Sequence, residues 1–157
     1  MYPYFQKKQA PSINSREAAP TDPLRQFLTQ NSQFGTLLFQ VTGGQGSVPI
    51  ANATVVISKS LPNGYMLSIT ATTDESGKTE EFSLPAPSRT LSQIPGTADV
   101  FSTYHARISA PGTVSAVVHD IPIFDGVTTI QPVSLSFDVG GEHKNEANSV
   151  TDTEPTL

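Results

Sequence analysis

The chain has 157 residues, which suits one domain with a single hydrophobic core and leaves no room for a second. Only 15% of the residues are charged, against roughly a quarter in an average soluble domain, and 13 prolines with 11 glycines mark a chain rich in turns and poor in surface helix. A net charge of -5 with nine scattered basic residues excludes general nucleic-acid binding, and the absence of cysteine excludes disulfides, thiolate nucleophiles and Cys-built metal centres.

Charge divides the chain into an arm (1–34, four basic and two acidic residues), a body (35–137, four basic and seven acidic) and a tail (138–157, one basic and five acidic). The start, MYPYFQKKQAP, lacks the apolar run of a signal peptide, and no window approaches the ~20 apolar residues of a membrane span. Beginning at Met1, the chain reads as untrimmed. Tyr2, Tyr4 and Phe5 put three large apolar surfaces on a segment held extended by Pro3 and Pro11, so they are expected to be buried against a second subunit. Asp22 then supplies an N-cap, Pro23 suits the first helical position, and Leu24, Phe27 and Leu28 form an apolar stripe, which predicts a two-turn helix. So short a helix needs a surface to pack on, and its stripe joins the aromatics as expected assembly residues.

The body follows the strand period of two. Leu37, Phe39 and Val41 share one face of a first strand and Ala53, Val55 and Ile57 one face of a second. Asn63-Gly64 is a tight reversal, after which Tyr65, Leu67, Ile69 and Ala71 alternate with Met66, Ser68, Thr70 and Thr72, predicting a strand with one buried side. Phe82 and Leu84 mark the next strand. Pro85 and Pro87 remove two donors and make 85–100 a loop. Further strands follow at Tyr104, Ala106, Ile108 and Ala110, at 114–118, and at Val133, Leu135 and Phe137. Seven short strands at this spacing predict an all-β, seven-stranded Greek-key β-sandwich with an N-terminal arm and a short helix. The tail has no periodicity and is expected to be disordered beyond about residue 140.

Pro49, Ile50, Ala53 and Val55, then Thr73, Asp74 and Gly77, then Tyr104, Ala110 and Gly112 give the body a pattern that resembles the transthyretin-like (prealbumin-like) or carboxypeptidase regulatory-like domains. Leu84 to Pro87 and Ile123 to Val133 further resemble the version of that domain found in clostridial spore cortex-lytic and peptidoglycan-binding proteins. The resemblance implies the sandwich fold and a spore or cell-surface location reached without a recognisable signal peptide. It implies no activity.

The remaining motifs are structural in character. Asp74 and Gly77 suit a hairpin reversal, and Asp74, Glu75, Glu80 and Glu81 lack calcium-loop spacing. Gly43, Gly44 and Gly46 have no following Lys-Ser/Thr for phosphate. His105, Arg107 and His119 suggest the polar cluster of transthyretin-like enzymes acting on a urate derivative, but the C-terminal Tyr-Arg-Gly-Ser of those enzymes is missing. An internal isopeptide is unsupported, since 35–41 has no Lys and 127–137 no Asn. The expected function is therefore a non-enzymatic, self-assembling structural subunit of a spore or cell-surface layer or fibre, a homo-oligomer or filament joined through the arm, with no cofactor and no metal. The alternative is a module for peptidoglycan or another surface glycan, with Tyr65, Tyr104, His105 and Arg107 as the candidate binding patch.

Overall fold

The computed structural model describes residues 22–96, 100–140 and 148–151. Helix α1 (Pro23–Gln30) starts where the cap residues place it: the Asp22 carboxylate accepts from the Leu24 N–H at 3.0 Å, and Pro23 takes the first position. It ends at Asn31, whose backbone N–H and side-chain amide both donate to the Phe27 carbonyl. Phe27 is buried in the core, whereas Leu24 and Leu28 stay 40% and 43% exposed. Tyr2, Tyr4 and Phe5 lie outside the described residues.

Nine strands follow among the described residues: β1 (Gln33–Gly43), β2 (Val48–Pro49), β3 (Thr54–Ser60), β4 (Met66–Thr72), β5 (Phe82–Ala86), β6 (Ser102–Ser109), β7 (Ala116–Ile123), β8 (Thr128–Leu135) and β9 (Asn148–Thr151). They form two separate sheets. In the four-stranded sheet β1 carries β8 along one edge, in parallel, and β5 and β2 along the other. The five-stranded sheet runs β4-β3-β6-β7-β9, with β9 parallel to β7. The expected seven-stranded Greek-key β-sandwich is thereby corrected. The alternation read from the sequence locates strands, but the partner of a strand is a non-local choice, and neither the two-residue β2 nor the polar β9 carries a hydrophobic period. Asn148–Thr151 lies within the tail expected to be disordered, and β1 begins at Gln33, within the segment assigned to the arm.

One core joins the two sheets. Leu37, Phe39 and Val41 of β1, Leu84 of β5 and Leu135 of β8 meet Val55 and Ile57 of β3, Ile108 of β6 and Val118 and Ile121 of β7. The turn after β4 locks onto β1, where Thr79 Oγ1 accepts from the Phe39 N–H and the Gly77 carbonyl accepts from the Val41 N–H. Gly77 is obligatory here, with φ +80 and no space for a Cβ against the Val41 carbonyl oxygen. Thr73 is buried, accepting from the Ala53 N–H and donating to the Ile50 carbonyl.

Prolines fall where a missing donor does least harm. Pro85 sits in β5 and Pro132 in β8, and both strands pair only with β1 among the described residues. The loop expected from residue 85 consequently starts later, because β5 continues to Ala86. β4 departs from its expected burial. Its residues Leu67, Ile69 and Ala71 do share the inner face with Lys59, Ile57 and Val55, yet Ile69 is 40% exposed because the covering sheet ends before this edge strand. No described helix is long and apolar enough to cross a membrane.

Candidate functional site

Ala53, just before β3, and Val55 and Ile57 on its inner face are all buried, and the next residue in phase is Lys59. A cation therefore stands on the core side of the sheet, at the end where β3 leaves the core. The walls around it come from three elements. Phe27 and Asn31 belong to the end of α1; Ser88 and Leu91 belong to a 3-10 turn at Arg89–Gln93 and its cap; Phe101, Ser102 and Thr103 begin β6. Together they enclose an open cleft of about 810 Å³, within the range usual for small-molecule sites.

Each wall is held by its own local chemistry. The Asn31 cap ends α1 beside the cleft. Ser88 caps the 3-10 turn through Thr90, and the Arg89 N–H donates to the Asp125 carboxylate at 3.0 Å, which ties this wall to the connection between β7 and β8. Phe101 packs at 5.2 Å, ring centre to ring centre, on Phe124 of that same connection. On the floor, Lys59 Nζ donates to the Thr103 carbonyl at 2.8 Å and lies 5.4 Å from the ring centres of both Phe27 and Tyr104. Two aromatic faces toward one ammonium are an arrangement that stabilises positive charge in a partly dry place.

Tyr104 is buried, and its hydroxyl donates to the Pro85 carbonyl at 2.7 Å. Burial pushes its phenol pKa well up, against a smaller downward effect of the hydrogen bond with Ser102, so it stays neutral. Tyr104 is thus a buttress beneath the cleft and not a stacking platform, which corrects its place in the candidate binding patch. The rest of that patch is dispersed. Tyr65 is 61% exposed at the start of the edge strand β4, with β3 between it and β6, while His105 and Arg107 turn to the outer face of β6. His119 lies beside His105, with ring centres 5.5 Å apart. Asp74 is committed to its own turn. Among the described residues no group of three or more His, Asp or Glu could hold a metal ion.

Lys59 escaped the sequence analysis because lysine on a strand is ordinarily read as solvated. The signal was present all the same: it occupies the inward phase set by Ala53, Val55 and Ile57.

No family model matches the chain, and no curated protein does. Solved structures similar to it include the Bacillus anthracis TIE protein, at 17% identity and a TM-score of 0.47, over 67% of this chain and 17% of that one. Catechol 1,2 dioxygenase of Acinetobacter radioresistens is 16% identical with a TM-score of 0.45, covering 78% of this chain and 60% of the enzyme. Hydroxyquinol 1,2-dioxygenase of Pseudomonas putida DLL-E4 is 12% identical with a TM-score of 0.47, covering 68% and 57%. The chain thus spans about six-tenths or less of these proteins.

Most of these similar structures are ring-cleaving dioxygenases, not transthyretin-like or carboxypeptidase regulatory-like domains. This corrects the expected kinship. The expected role as a self-assembling spore or surface-layer subunit, with glycan binding as its alternative, is withdrawn together with the kinship that placed it at a spore surface. No dioxygenase activity is carried over to this chain.

Proposed function

We propose that the chain acts through the Lys59 cleft and binds there a small organic acid with an apolar body. The observation that carries this is the placement of the ammonium at the floor of a cleft walled by Phe27, Leu91 and Phe101 and lined further by Ser88, Ser102 and the Thr103 backbone. A carboxylate directed at Lys59 gains a charge-assisted hydrogen bond, stronger than a neutral one. The apolar body gains from leaving water against the Phe and Leu walls. The Ser88 and Ser102 hydroxyls serve as adaptable donors or acceptors for any further polar group.

The test compares benzoate, phenylacetate and hexanoate with their primary amides by calorimetry on the intact chain and on Lys59→Met, which keeps the apolar stem. A charge-assisted hydrogen bond is worth about 1.5–3 kcal/mol, so the acids should lose about tenfold or more in affinity in the variant while the amides change little. Equal binding of acids by both proteins, or no binding of any acid at millimolar concentration, overturns the proposal.

A further inference from the structure

The outer face of the five-stranded sheet carries two of the three histidines of the chain. In β6, Tyr104, Ala106 and Ile108 turn into the core, so His105 stands outside. In β7, Ala116 and Val118 turn inward, so His119 also stands outside. A regular ladder would give each residue one partner. Here the register passes from Tyr104↔Ile121 to Ala106↔Val118, leaving His119 and Asp120 together opposite His105. That is a β-bulge, and Asp120 in it takes a left-handed conformation, with φ 57. Bulges re-aim side chains. This one leaves the two imidazole rings with centres 5.5 Å apart and planes at 68°.

We propose that His105 and His119 form a two-imidazole site for a divalent transition-metal ion of the Cu2+, Ni2+ or Zn2+ type. With metal–nitrogen bonds of about 2.0–2.1 Å, two imidazoles on one tetrahedral ion place their ring centres roughly 5 Å apart, close to the observed spacing. Imidazole is the ligand type these ions prefer, and Cu2+ is favoured among them. Among the described residues no third imidazole or carboxylate joins the pair. His105 Nδ1 presently accepts from the Asp120 N–H at 3.3 Å, a long bond, and capture of an ion at that nitrogen exchanges it for a metal bond. Ser58 faces His105 from β3 and Thr151 registers with His119 from β9, so the site lies on the opposite side of the sheet from the core and is separate from the Lys59 cleft.

The experiment titrates the metal-stripped full chain with CuCl2 and with ZnCl2 by calorimetry, alongside His105→Asn, His119→Asn and, as a control, His143→Asn, which lies outside the described residues. One ion should bind, Cu2+ more tightly than Zn2+. Each of the first two substitutions should weaken Cu2+ binding by about tenfold or more, since even an outer-shell partner of a metal site is worth that much. His143→Asn should leave it unchanged. Affinity kept in both pair variants, or lost in His143→Asn, overturns the site. If either pair variant fails to fold by circular dichroism, the nitrogen hyperfine pattern of Cu2+ on the His143→Asn chain decides: two imidazoles support the site, one or none overturns it.

Discussion

Asp74 carries three hydrogen bonds from its own turn, accepting from the N–H groups of Ser76 and Lys78 and from the Ser76 hydroxyl. The Ser76 hydroxyl bond, followed by the Lys78 N–H, holds its pKa below the ordinary carboxylate value of 3.8. A depressed folded pKa contributes stability that is present above the unfolded value and lost as pH falls through the folded one. Asp74→Asn keeps an acceptor in the turn but removes the titration. Its urea midpoint should therefore fall less steeply than that of the parent as the pH drops below about 5 and through the lowered folded value, once other carboxylates common to both are cancelled by difference. Parallel curves would show that the turn does not couple to the carboxylate. The role of Asp74 was legible in the sequence because a turn is local: acceptor, donors and Gly77 lie within four residues. Lys59 shows the converse, since its neighbours Phe27 and Thr103 are brought in from distant parts of the chain.

Among the strands, β6 and β4 show how far alternation can be trusted. Both have a clean period of two. In β6 the inward set is fully covered, with Ile108 at 0% exposure, because β6 lies between β3 and β7 and faces the other sheet. In β4 the inward set overhangs an uncovered margin, and Leu67 is only half-buried. Periodicity reports which residues share a face, while burial depends on what lies opposite. Ile108→Ala should accordingly cost about 2–5 kcal/mol, and Leu67→Ala distinctly less, in chemical denaturation with unchanged slopes. Similar losses at the two positions would mean that β4 is covered in solution. The bulge at His119 and Asp120 was equally hidden. Nothing in the local pattern shows that β7 continues through Pro122, which it can do because β9 flanks only Ala116–His119.

At the level of the whole molecule, the two parallel pairs, β1 with β8 and β7 with β9, determine how the layers end. Parallel partners require long connections, and their choice leaves no trace in composition, which is why the seven-strand expectation stopped at residue 137. β9 covers the edge of β7 that faces away from β6, over the Ala116–His119 stretch. An uncovered edge exposes backbone donors and acceptors to solvent and to other chains. Ending the chain after Gly140 should therefore lower the melting temperature modestly and speed amide exchange within Ala116–His119, while Leu37, Phe39 and Val41 in the opposite sheet keep their protection, because Leu37 retains its β5 partner and the Phe39 and Val41 N–H groups still donate to Thr79 Oγ1 and the Gly77 carbonyl. The shortened protein should also have a stronger tendency to self-associate with concentration, since β7 then presents an unpaired edge. Equal exchange of the β7 amides in the two proteins, measured by hydrogen–deuterium exchange under identical conditions, would show that β9 does not pair in solution and that the tail contributes nothing to the fold.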